Sequence, residues 1–88
     1  MKKLVNVTEV EGEGLVALMG QRVTLFCLNY FYTGKLTGVN DTCVLLDDAA
    51  IVYETGAFSD KEYKDAQALP GSSWYVQTSA VESFGPGK

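Results

Sequence analysis

At 88 residues the chain has the length of one domain, and a fold of that size hides only about 60–65% of the surface its unfolded form exposes, so contact with further copies would add stability. Seven Lys and Arg against eleven Asp and Glu give a net charge of −4, which counts against binders that rely on neutralising phosphates. The absence of histidine removes the commonest catalytic acid–base and the commonest transition-metal ligand together. Apolar residues make up 47% of the chain, yet no run approaches the roughly 18 needed to cross a bilayer, and MKKLVNVTEV lacks the continuous apolar stretch of a signal peptide; a soluble, cytoplasmic chain is the expectation.

In chain order, residues 1–14 read as an N-terminal arm or an extra strand, with the β-branched run Lys2–Val10 broken by Glu11-Gly12-Glu13-Gly14. Leu15–Met19 offers one or two helical turns between Gly14 and Gly20, too short to stand without docking its leucines on an apolar surface. Three strand-like runs follow between Gly20 and Ala49. In the first, Val23, Leu25 and Cys27 share one face and Thr24, Phe26 and Leu28 the other, which predicts cover on both sides: a barrel interior on one and the short helix on the other. In the second, Tyr32, Gly34, Leu36 and Gly38 share a face, and two glycines at that spacing predict a strongly bent sheet whose crowded inner face has no room for side chains there. Val39-Asn40-Asp41-Thr42 is a turn by composition, Cys43–Leu46 is the third strand, and the chain stays extended through Tyr53.

Residues 57–73 are a polar insertion. Ser59 and Glu62 have the spacing of a capping box, so the reading allows a small helix of about two turns over Tyr63–Ala68, stopped by Pro70-Gly71. A fourth strand is predicted at Trp74–Val76 and a fifth ending at Phe84, with residues 85–88 as a flexible tail. Cys27 and Cys43 fall on the first and third strands, about 9–10 Å apart across the second, beyond disulfide reach, and both are expected to be free thiols. Asp47 and Asp48, as neighbours on a strand, face opposite sides and do not converge on a cation. With no base beside any nucleophile, an enzyme is not expected, and neither is a catalytic residue, a metal or a cofactor.

The segment Tyr32-x-Gly34-x-Leu36-x-Gly38, its Asp-containing turn and the strand running into Asp47-Asp48-Ala49 resemble the first motif of the Sm and LSm family, and Trp74–Phe84 resembles its second. The resemblance implies a mainly β fold, a small five-stranded Sm-like (SH3-like) barrel with a short N-terminal helix, one domain over residues 1–88. It also implies a closed homo-oligomeric ring of about five to eight subunits, in which the fourth strand of one copy pairs with the fifth of the next and Trp74, Tyr75, Val76, Val81 and Phe84 form the interface.

In that family the pore binds single-stranded RNA through an Asp-x-aromatic-Asn turn and the Arg-Gly of the second motif. Here Gln77-Thr78 stands in place of Arg-Gly. One alignment puts Thr42 at the stacking position and Cys43 at the Asn, and another puts Asn40 at the Asp; the bacterial Hfq pocket is matched only at Asp41 and Tyr75. The implied RNA site is therefore Asn40, Asp41, Thr42, Cys43, Gln77, Thr78 and Lys35, without the aromatic stacking worth about 1–3 kcal/mol per base. Two functions follow from the resemblance: a ring that binds single-stranded RNA in its pore, of the RNA-metabolism or RNA-chaperone type, or a self-assembling structural or adaptor ring that has lost RNA binding.

Overall fold

The computed structural model describes residues 14–88, so the expected arm or extra strand lies, but for Gly14, outside the described residues. Six strands, β1 (Arg22–Cys27), β2 (Phe31–Val39), β3 (Cys43–Glu54), β4 (Asp65–Ala68), β5 (Ser73–Gln77) and β6 (Val81–Pro86), form one open antiparallel sheet. A 3-10 turn at Gly14–Leu18 precedes β1 and another at Thr78–Ala80 joins β5 to β6. Along the sheet the order is β4-β3-β2-β1-β6, and β5 pairs with β3 off this path.

The long strand β3 serves two neighbours because it kinks. Its first half, Cys43–Asp47, pairs with β5, and its second, from Ala50 to Glu54, pairs with β4. Between the halves the register steps from Lys35 opposite Asp47 to Thr33 opposite Ala50, leaving Asp48 and Ala49 against the single residue Gly34, which is the form of a β-bulge. Asp48 takes the left-handed conformation, φ 49°, that Asp tolerates better than most residues. A Cβ on Gly34 would lie 3.0 Å from the Asp47 carbonyl oxygen and 3.2 Å from Ala49 Cα, so any side chain there would press on the backbone of the bend and glycine suits the position. The same crowding was expected at Gly38 and is not found: a Cβ would meet Leu45 Cβ at an ordinary 3.5 Å.

The inner face collects Val23, Leu25, Leu36, Val44 and Leu46, all fully buried, each contributing about 1.5–3 kcal/mol through burial. Leu15 and Leu18 of the first 3-10 turn pack against this core, as does Val81. The opposite face of β1 is covered otherwise than expected. Its cover is the 57–63 loop, where Phe58 approaches Phe26 (6.1 Å between ring centroids) and the Tyr63 hydroxyl hydrogen-bonds that of Thr24. The 3-10 turn, only five residues long, spends both leucines on the inner face.

Two further expectations are corrected. No helix forms over Tyr63–Ala68; Asp65–Ala68 is β4. An isolated two-turn helix is marginal, whereas four residues laid along the second half of β3 satisfy backbone groups that would otherwise form an open edge. Nor is 85–88 a loose tail. Gly87 N–H donates to the Arg22 carbonyl at 2.9 Å, Arg22 Nε donates to the Lys88 carbonyl at 2.9 Å, and the Lys88 ammonium lies 4.8 Å from the centre of the Tyr63 ring. Glycine makes this possible, since a Cβ at residue 87 would sit 2.5 Å from the Val23 carbonyl carbon.

Candidate functional site

Of the seven residues expected to touch RNA, six meet at one corner of the sheet. Cys43 and Gln77 are cross-strand partners, Thr78 N–H donates to the Thr42 carbonyl at 2.8 Å, and the Thr78 hydroxyl donates to the Asp41 carbonyl at 2.9 Å. Lys35 is not among them. It stands opposite Asp47, four residues down β2 from Val39, or roughly 13 Å along a strand.

The corner spends most of its polarity on itself. Asn40 Oδ1 accepts hydrogen bonds from Thr42 N–H (2.8 Å), Cys43 N–H (2.9 Å) and the Thr42 hydroxyl (3.1 Å), which makes Asn40 the cap of its own turn. Its N–H is also engaged, with the Cys43 carbonyl at 3.0 Å. The exposed Asp41 carboxylate and Gln77 amide are left to face solvent, with no aromatic ring or cation among the six residues.

The five expected interface residues divide. Val76 is 5% exposed and belongs to the chain's own core, and Val81 packs against that core, as does half-buried Trp74. Tyr75 and Phe84, at 67% and 44% exposed, are the two that face outward. The division follows from strand alternation, which sends alternate side chains of β5 to opposite faces.

Sequence reasoning missed a cleft of about 360 Å³ beside β5. Trp74, Tyr75 and Gln77 line one wall; Leu28, Tyr30 and Tyr32, from the corner between β1 and β2, line the other. No charged residue contributes to it. Consecutive residues of one strand line the cleft whichever face they belong to, so it runs along the strand's edge. The signal lay in two aromatic clusters, Tyr30-Phe31-Tyr32 and Trp74-Tyr75, far apart in sequence and brought together only by pairing through β1, β2, β3 and β5. Cys27, at the same cleft, is buried, and burial pushes its thiol above the ordinary value. Burial also raises the Tyr32 phenol, with smaller contributions from Cys27, Tyr30 and Tyr53 nearby.

The acidic pair does diverge. Asp47 accepts the Ser73 hydroxyl at 3.0 Å, while Asp48 meets Arg22 at 3.3 Å with its side chain 89% exposed, a surface pair worth at most about 1 kcal/mol. Cys27 and Cys43 are separate thiols. Among the described residues no helix is long and apolar enough to cross a membrane, and no three His, Cys, Asp or Glu side chains are grouped to hold a metal. No family model, curated protein or solved structure matches the chain.

Proposed function

We propose that this chain is a self-assembling Sm-like module, a small bent barrel that joins copies of itself into a closed ring and acts as a structural or adaptor element. The reading is carried by one observation: β5 pairs only with β3 and β6 only with β1, so each leaves one edge without a described partner. Pairing the β5 of one copy with the β6 of the next satisfies both edges, and repeated around an axis it closes. The neighbour order β5-β3-β2-β1-β6, the kinked β3 and the core-docked 3-10 turn support the Sm-like architecture, with β4 as an addition on the far half of β3. The net charge of −4 and the internal hydrogen bonding of Asn40 favour the adaptor role over the RNA role.

A second reading, single-stranded RNA held in the pore, is favoured by the gathering of Asn40, Asp41, Thr42, Cys43, Gln77 and Thr78 at one corner. Light scattering of the purified chain, followed by fluorescence anisotropy with labelled U-rich and A-rich RNAs at low and near-physiological salt, separates the two. The adaptor reading expects a discrete assembly of about five to eight subunits and no saturable binding at the higher salt. Saturable binding that survives salt and weakens in Gln77→Ala would replace it with the RNA reading; a monomer at all concentrations would end both.

A further inference from the structure

We propose that a hollow on the outer face of the sheet binds a phosphate group. It lies between the start of β1, the 57–63 loop and Lys88, measures about 370 Å³, and takes no lining residue from β5, β6 or the corner. The edges through which copies would pair are not part of it.

Charge distribution is the first argument. The chain carries −4, and the cations of its described residues are Arg22, Lys35, Lys61, Lys64 and Lys88. Three of these five line the one hollow, against a single carboxylate, that of Glu62. Like charges gathered in a concave wall focus their field on whatever enters, and the entrant they favour is an anion.

The cations also keep donors to spare. Arg22 is aimed by two contacts, Nε on the Lys88 carbonyl at 2.9 Å and one terminal nitrogen beside the Asp48 carboxylate at 3.3 Å, and its other terminal nitrogen has no partner among the described residues. Lys88 gives one ammonium hydrogen to the Ala57 carbonyl at 3.0 Å and lies 4.8 Å from the centre of the Tyr63 ring, which places the head group and leaves it two more hydrogens. Lys61 forms no ion pair or hydrogen bond among the described residues. Head groups placed in advance lose little freedom when a ligand arrives.

Count and size select the anion. A phosphate monoester carries about −1.5 to −2 and three acceptor oxygens, which suits three cations better than a carboxylate does. Small-molecule sites run from roughly 300 Å³ upward, so there is room for more than the phosphate itself, along a wall that includes Ala50 and Ala66. A nucleic-acid strand needs cations along a track of phosphates, whereas of the remaining two Lys64 is paired with Glu54 at 3.4 Å and Lys35 has Asp47 opposite it.

The test is calorimetric titration of the full chain with inorganic phosphate, ribose 5-phosphate and uncharged ribose, in chloride at fixed ionic strength. The expected result is saturable binding of both phosphates and none of ribose. Tighter binding of ribose 5-phosphate assigns the hollow to a phosphorylated small molecule, and equal binding assigns it to the free ion. Lys61→Ala and Lys88→Gln should each weaken binding roughly tenfold, and Glu62→Gln should tighten it about threefold. Lys64→Ala, a neighbouring cation outside the hollow, should leave it unchanged. Lys61 is exposed and unpaired, so its replacement leaves the fold intact and keeps the test decisive if Lys88→Gln disturbs the Tyr63 contact. No saturable binding of either phosphate overturns the proposal, as does binding that is unchanged in both Lys61→Ala and Glu62→Gln. A short single-stranded RNA that binds where neither monophosphate does overturns it too, since the cations would then serve a polymer.

Discussion

Two regions of this sheet meet β5, one at its Gln77 end and one along its free edge, and they differ in what they do with their polar groups. At the corner, Asn40, Asp41, Thr42 and Thr78 exchange hydrogen bonds among themselves, and the turn is closed by its own side chains. Along the cleft, the β5 edge and the aromatic rings beside it have no such internal partners among the described residues. Hydrogen-bonding residues in a loop invite a binding interpretation, yet a group already hydrogen-bonded has little to gain from a ligand, whereas an unpaired edge beside exposed rings gains on every contact. The corner is thus a structural clasp, whereas the cleft leaves the β5 edge and its rings open to solvent or to a partner.

Both regions hang on the kink in β3, and replacing Gly34 tests that dependence with the largest expected effect. A Cβ there meets the Asp47 carbonyl oxygen, Leu46 Cβ and Ala49 Cα at 3.0–3.2 Å, contacts that backbone cannot yield cheaply. Gly34→Val is expected to cost about 3 kcal/mol in urea unfolding, loosening corner and cleft together. A loss below about 0.5 kcal/mol would show that the kink is set elsewhere.

Asn40→Ala sharpens the contrast at an intermediate magnitude. Removing one acceptor that serves three donors should lower stability by about 1–2 kcal/mol, while the mass in solution by light scattering, whatever its value, stays that of the parent. Unchanged stability together with lost assembly would reverse the roles assigned to the two regions.

What the sequence discloses follows the range of the interaction. The first three strands, β5 and β6 were legible because their apolar alternation and turn residues are local, and Val23, Leu25 and Leu36 fill the core as their alternation demands. β4 was not legible, since Asp65–Ala68 is exposed throughout and its short alternation carries no side chain larger than alanine on the apolar positions; it is a strand because half of β3 needs a partner. The docking of Lys88 depends on Arg22 and Tyr63, residues remote in sequence with no pattern linking them. The corner residues were legible as a cluster through the resemblance to both motifs, the turn of the first and the Gln77-Thr78 of the second, but that Asn40 is consumed by its own turn is a matter of a few ångströms, which residue types do not encode. The cleft escaped for the same reason as β4: its walls are joined only through strand pairing.

The smallest expected effect uses the one thiol that each region contains. Cys43 sits at the corner, half-buried, and Cys27 at the base of the cleft, buried. Burial raises the Cys27 thiol above its ordinary 9.0, so at pH 8 a thiol reagent should modify the less buried Cys43 first and Cys27 slowly. The same shift fixes the sign of the pH dependence. A group that holds its proton more tightly when folded stabilises fully below its unfolded value, and that stabilisation is lost as pH rises through the folded one. Cys27 and Tyr32 are both raised, so stability should hold through neutral pH and decline from about pH 9 upward, measured as a falling urea midpoint. Cys27→Ser keeps the size of the side chain and removes the thiol; it should delay the onset towards the ordinary 10.0 of the Tyr32 phenol, where the loss due to that group begins. Equal labelling rates for the two thiols would mean that the cleft opens to solvent as freely as the corner, and the difference between the two regions would then be one of shape alone.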